Sequence, residues 1–209
     1  MTQVRQVEHS LIQHFLARVR DRNTDSVTFR ATVRRLSVLL AYEATKDLVT
    51  RPVEIETPLT KMTGHRLAQR IALVPILRAG LGMVDAVLDL LPEAEVRHLG
   101  FYRDERTLQA VEYYKKLPPS NPVDVALVLD PMLATGGSAV AALDAMRQWG
   151  VAQVKLLSVL AVPEGIARVT AEFPDTQIYV CSIDSHLNEH GFIVPGLGDA
   201  GDRIFNAQA

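Results

Sequence analysis

Residues 123–138 read Val-Asp-Val-Ala-Leu-Val-Leu-Asp-Pro-Met-Leu-Ala-Thr-Gly-Gly-Ser. A nearly continuous apolar run ends in an acid, Asp130, and a small-residue loop then leads into a helix-length segment over 137–149. Strands that do not alternate belong in a sheet covered on both faces. Gly136 and Gly137 allow backbone angles that other residues resist, so several N–H groups can point at one anion. A helix N-terminus adds partial positive charge, and Thr135 and Ser138 offer hydroxyl donors. The segment reads as a phosphate cradle. Its bland alternative is a plain helix start with Ser138 as a nearby cap. No Gly-Lys-Ser/Thr follows, which excludes a nucleoside-triphosphatase P-loop, and the glycine spacing is wrong for a dinucleotide fingerprint.

Outward from this stretch the same rhythm repeats. Apolar runs at 71–77, 96–101, 154–162 and 177–183 alternate with helix-length segments at 80–91 and 164–173. Pro163 suits the first turn of the last of these. Strands separated by helices imply crossovers and a parallel sheet. The expectation is an α/β fold, a parallel sheet core flanked by helices. Residues 8–22 and 30–49 have helical spacing, with Val33, Leu36, Leu39 and Leu40 on one stripe, and 52–57 suggests a short peripheral strand. One domain over 1–209 is expected, its core about 65–183, with a small hood formed by the N-terminal segments and the 184–209 tail.

Composition narrows the function. The 209 residues are 48% hydrophobic and 22% charged, globular proportions with a net charge of −2. That balance gives little basis for coating a polyanion. The charge is uneven: residues 1–106 carry 16 basic and 13 acidic side chains, residues 107–209 carry 6 and 11. Cys181 is the only cysteine, so an intrachain disulfide is impossible. The apolar runs fall short of the roughly 18 residues of a membrane span, and no signal peptide is legible. A cytoplasmic protein without membrane or nucleic-acid partners is expected.

In such a sheet, ligands sit beyond the carboxyl ends of the strands. That rule selects Arg78-Ala79-Gly80, the polar stretch from Arg103 to about Asn121, and 130–138. A guanidinium at Arg78 can grip a diphosphate in bidentate fashion or simply solvate a strand end, and the residues alone favour the plainer role.

Here the residues reach a family. Asp130 through Ser138 resembles the phosphoribosyl-diphosphate (PRPP) loop of the type I phosphoribosyltransferases, and its Asp-Pro form is similar to the uracil phosphoribosyltransferase branch. Val-Pro-Ile-Leu-Arg-Ala-Gly at 74–80, Gly-Phe-Tyr-Arg at 100–103 and Ile-Val-Pro-Gly-Leu-Gly-Asp-Ala-Gly-Asp-Arg at 193–203 agree, in order. The resemblance implies a type I phosphoribosyltransferase-like fold and transfer of a phosphoribosyl group from PRPP to uracil. It implies PRPP contacts at Arg78, Arg103, Asp130, Pro131, Met132, Leu133, Ala134, Thr135, Gly136, Gly137, Ser138 and Asp199. Asp130 would grip the ribose hydroxyls, the Thr-Gly-Gly-Ser turn the 5-phosphate, and Arg103, on a mobile arm, the diphosphate it stabilises. Uracil contacts carry over to Ile193, Gly198, Asp199 and Ala200, and a separate hypothesis has Asp199 orient or deprotonate the base. Magnesium is expected through PRPP and water rather than a protein cage. A homo-oligomer, dimer or larger, and GTP as an activator are further implications.

The tail makes physical sense as a base reader. Gly191, Gly196, Gly198 and Gly201 with Pro195 suit a loop that brings backbone close to a flat ligand. Phe192 stands where many uracil enzymes have Tyr. Two competing readings are a regulator that binds RNA in response to pyrimidine nucleotides and an enzyme for another base. A salt-sensitive RNA gel shift would mark the first, and turnover of hypoxanthine the second. His186 and His190 invite a metal reading, but Gly191 and the loop after it argue against the helix such a pair needs. Cys181, inside an apolar run, reads as a buried thiol rather than a nucleophile.

Overall fold

A computed structural model describes residues 3–103 and 110–207, without the side chains of residues 3, 102, 103 and 110. In chain order the elements are β1 (Gln3–Gln6), α1 (Ser10–Arg20), α2 (Ser26–Ala44), β2 (Thr50–Glu56), β3 (Lys61–Leu67), β4 (Ile71–Leu77) and α3 (Leu81–Leu90). There follow β5 (Glu95–Val96), β6 (Leu99–Arg103), β7 (Ala110–Lys115), β8 (Val125–Leu129), β9 (Met132–Leu133) and α4 (Gly137–Trp149). The chain closes with β10 (Gln153–Ala161), α5 (Pro163–Glu172), β11 (Gln177–Ile183), β12 (His186–Leu187), β13 (Ile193–Val194) and α6 (Ala200–Phe205).

The main sheet runs β1-β11-β10-β8-β4-β6-β7, parallel except for β7, which returns antiparallel to β6. Alternate residues of one strand feed opposite faces. Leu73, Leu127 and Tyr179 join a cluster with α1, α2, α3 and α6, whereas Val74, Val128 and Val180 join one with α4 and α5. Two-sided burial is why these strands read as unbroken apolar runs. Each fully buried Leu or Ile there contributes about 1.5–3 kcal/mol.

The strand order reverses between β4 and β8. From β4 the chain moves to β6 on one side, then returns to β8 on the other and continues outward through β10 and β11. This topological switch opens a crevice at the carboxyl ends of β4 and β8.

Some boundaries differ from those expected. The second helix begins at Ser26 because Asp25 caps it, accepting from the Val27 and Thr28 N–H groups at 2.9 Å each, and it ends at Ala44 rather than at 49. The peripheral strand at 52–57 is one arm of a hairpin, β2–β3, whose residues are mostly exposed on both faces. Within the polar stretch 103–121, residues 110–115 form β7. Residues 104–109, the central part of the expected mobile arm, lie outside the described residues.

Candidate active site

Asp130 follows the last residue of β8, and Pro131 then interrupts the pairing with β10. The chain resumes it as β9, with Leu160 opposite Met132, while the Pro131 carbonyl accepts from the Val159 and Leu160 N–H groups at 3.0 Å each. Proline has no N–H to give the ladder, so the strand breaks where the acid must leave the sheet. Asp130 lines a cleft of about 210 Å³ together with Ala79, Met132, Ala134, Phe192, Ile193 and the Gly198–Gly201 turn. Burial pushes its carboxyl pKa up to about 7, opposed by the Met132 N–H, which it accepts at 3.3 Å.

The phosphate-cradle reading gains a specific geometry. Gly136, at φ +76°, is the residue before α4, and no side chain caps that helix, so Ser138 is not its cap. The loop is also held from below. A Cβ on Gly165, in the first turn of α5, would sit 2.3 Å from the Ala134 carbonyl oxygen and 2.8 Å from that of Leu133. Leu133 is buried in the core and Pro131 is buried as well, and neither lines the cleft.

The loop after β4 is fitted as closely. A Cβ on Gly80 would lie 2.3 Å from the Leu129 carbonyl oxygen, so this turn crosses directly over the end of β8. That places Arg78 beside the crevice, with its preceding Leu77–Arg78 peptide cis. The Arg78 guanidinium is largely exposed and donates to Asp202 Oδ1 at 3.0 Å. Asp202 belongs to α6, which Asp199 caps by accepting the Asp202 N–H at 2.8 Å. Asp199 therefore has a structural duty besides facing the cleft. Arg103 ends β6 in backbone, and its side chain lies outside the described residues.

The tail residues Ile193, Gly198, Asp199 and Ala200 come together on the wall of the cleft facing Asp130, with exposed Phe192 at its edge. Gly196 and Gly198 take φ of +62° and +81°, backbone that favours glycine. A Cβ at Gly196 would fall 2.0 Å from the Ile193 carbonyl oxygen. Sequence reasoning missed what holds this loop. Arg203, buried against the Phe29 ring at 4.3 Å, donates to the carbonyls of Val19, Leu197, Asp21 and Thr24. Arg20 and Asp184 hold Gly196 from the other side. The apolar run that ends at 183 points to Asp184, the first residue beyond a strand end, but nothing local pairs it with Arg20.

The remaining candidates have plain roles. His186 sits in β12 opposite Val194, and His190 lies in a turn organised by the Asn188 side chain, which accepts from the His190 and Phe192 N–H groups. Among the described residues no group of three His, Cys, Asp or Glu is placed to hold a metal ion. Burial raises the Cys181 thiol pKa far above the ordinary thiol range, as expected of an inert core cysteine. No helix among the described residues is long and apolar enough to cross a membrane.

A family model described as uracil phosphoribosyltransferase matches residues 6–207. A uracil phosphoribosyltransferase of Roseiflexus sp. (strain RS-1) is 55% identical over 205 residues, covering 98% of this chain and 99% of its own length. That of Clostridioides difficile (strain 630) is 51% identical over 209 residues, the whole of both chains. A solved protein of Aquifex aeolicus superposes with a TM-score of 0.94 at 36% identity, covering 99% of this chain and all of its own. A hypoxanthine phosphoribosyltransferase of Staphylococcus aureus, 13% identical, superposes with a TM-score of 0.52 over 76% of each chain and shares the fold.

Proposed function

The chain belongs to the uracil phosphoribosyltransferase family, and on that premise we propose that its cleft joins uracil to PRPP, giving UMP and diphosphate. The bond from the anomeric carbon to the diphosphate oxygen breaks as the bond to uracil N1 forms, and the N1 proton leaves. The observation that carries this reading is the meeting of three sequence-distant segments at one crevice: the turn after β4, the loop after β8 and the glycine-rich tail.

In this reading the core, about 65–183, holds PRPP. Asp130 accepts the ribose hydroxyls, the 134–138 turn receives the 5-phosphate on its N–H groups, and Pro131, Met132 and Leu133 join the two. Arg78 exchanges Asp202 for the departing diphosphate, and Arg103 closes on it from the arm. The hood, made by the N-terminal helices and the 184–209 tail, presents uracil's carbonyl–NH–carbonyl edge with fixed partners at Ile193, Gly198, Asp199 and Ala200. Cytosine would leave such groups unpaired.

Magnesium fits this donor set. Among the described residues Asp130 and Asp199 are the carboxylates on the cleft wall, too few for a protein cage, which suits a cation that keeps its waters and binds mostly through substrate oxygens. When bound, it supplies charge neutralisation on the diphosphate. Asp199 orients the base or takes its proton. Asn also serves well as an N-cap, so Asp199→Asn isolates the charge, and turnover is expected to fall about tenfold or more. Unchanged turnover with normal PRPP affinity would remove that role. The reading extends to a cytoplasmic assembly of two or more copies and to activation by GTP, checked by light scattering and by rates with and without GTP.

The test is diphosphate release from PRPP and magnesium, with and without GTP, on adding uracil, cytosine, uridine or hypoxanthine separately. Release with uracil alone, matched by UMP, is the expected result. Release with hypoxanthine instead would move the enzyme to another base, and silence with all four would sink the reading.

A further inference from the structure

We propose that Arg20 and Asp184 are positioning residues for the base, acting through Gly196. This rests on the reading of 193–200 as the uracil loop. Arg20, the last residue of α1, donates in a fork to Asp184, Nη1 to Oδ2 at 2.7 Å and Nη2 to Oδ1 at 2.6 Å. The same Nη1 donates to the Gly196 carbonyl at 2.9 Å, and the Gly196 N–H donates back to Asp184 Oδ2 at 2.9 Å. Ser182 Oγ donates to Asp184 Oδ1 at 3.1 Å and accepts from Arg20 Nη2 at 3.3 Å. Both polar groups of the Gly196 peptide residue are thus fixed by one ion pair. Its carboxylate is 3% exposed and its guanidinium 23%.

The position of the clamp gives it a function beyond holding the fold. Its anchors fall on Gly196, between the two cleft-lining stretches, Ile193 and Gly198–Gly201. It ties that point to the end of α1 and to the residue just past β11, elements that do not line the cleft. At φ +62° Gly196 holds backbone that favours glycine, and a Cβ there would fall 2.0 Å from the Ile193 carbonyl oxygen, so no side chain of its own fixes this point and the clamp does. Burial works to raise the Asp184 pKa, but the Arg20 hydrogen bonds, the Gly196 N–H and the Ser182 hydroxyl hold it below the ordinary carboxylate range. The Asp184 carboxylate is thereby favoured in its ionised form. A flat base read by backbone groups requires the loop to be placed to a fraction of an ångström, and a fork of parallel N–H bonds supplies that where a single bond would swivel.

Arg20→Lys keeps the charge and removes the fork. Asp184→Asn keeps the volume, and its amide either turns a donor toward the Gly196 N–H or gives up the fork. Steady-state kinetics with each substrate varied should show the KM for uracil raised about tenfold or more in both variants, with the KM for PRPP within about twofold of wild type. Equal rises in both constants, or no change, would overturn the proposal. Amide hydrogen exchange on the same proteins separates it from the family reading. Faster exchange confined to residues 194–199 in Arg20→Lys supports the clamp even if uracil proves not to be the base. Exchange unchanged there, or raised across the whole chain, overturns it.

Discussion

The two walls of the cleft are built in opposite ways. The wall assigned to PRPP is made at the ends of parallel strands, where Gly80 and Gly165 let backbone meet backbone and no side chain stands between. The wall assigned to the base is a tail with little regular structure, held by two cations, buried Arg203 on four carbonyls and half-buried Arg20 on Asp184 and Gly196. The first is rigid because the sheet is rigid. The second is only as rigid as the side chains that hold it. A recurring sugar-phosphate chemistry can thus keep one cradle while the base reader changes around it.

The contrast can be broken most severely at Gly80. In Gly80→Ala the new Cβ must displace the Leu129 carbonyl and the Ile76 backbone, each under 3 Å away, and neither can swing aside as a side chain would. Loss of about 100-fold or more in kcat/KM for PRPP is expected, with a lowered midpoint of thermal unfolding. Wild-type kinetics would show that the close crossing has no catalytic weight.

Asp130 offers a pH lever on the same wall. Its carboxyl must be ionised to accept ribose hydroxyls, and burial pushes its pKa up to about 7. Below that value kcat/KM for PRPP should fall, approaching tenfold per pH unit, while a flat profile from pH 8 to 6 would refute the assignment. Stability carries the opposite sign. Between the ordinary carboxylate value of 3.8 and about 7 the folded chain binds a proton that the unfolded chain does not. Stability therefore declines as pH rises through that window. Asp130→Asn lacks the dependence, so its unfolding midpoint relative to wild type should climb from pH 4 to pH 8.

What the sequence reveals divides along the same line. Strands Ile71–Leu77 and Gln177–Ile183 and helix Gly137–Trp149 are legible to the residue, because two-sided burial and a glycine-rich helix start leave local signatures. The turn that leads into that helix is legible for the same reason, but the short strand β9 at Met132–Leu133 is not. The elements that escape are those whose partner is distant or whose faces are both wet. β3, Lys-Met-Thr-Gly-His-Arg-Leu, has no apolar period because it is mostly exposed on both faces, and β1 offers a single apolar residue, Val4. β7 hides inside a charged stretch. Arg20 and Asp184 lie 164 positions apart, and Arg203 reaches Val19 across 184, so nothing in either neighbourhood announces the pair. The Asp25 cap is a local signal, but the apolar stripe over 33–40 points to a later start for the helix.

The most direct check on the two-wall account is a paired measurement on Gly165→Ala and Arg203→Lys. The first pushes the Ala134 carbonyl of the PRPP loop, and the second removes carbonyl bonds from the tail. With both substrates varied, Gly165→Ala should raise the KM for PRPP about tenfold and leave that for uracil within about twofold. Arg203→Lys should do the reverse, raising the KM for uracil by a similar factor at a cost of about 1–3 kcal/mol in stability. Opposite splits are the predicted result. Both variants raising both constants together would mean that the cleft is one cooperative unit, and the separation of its walls would be wrong.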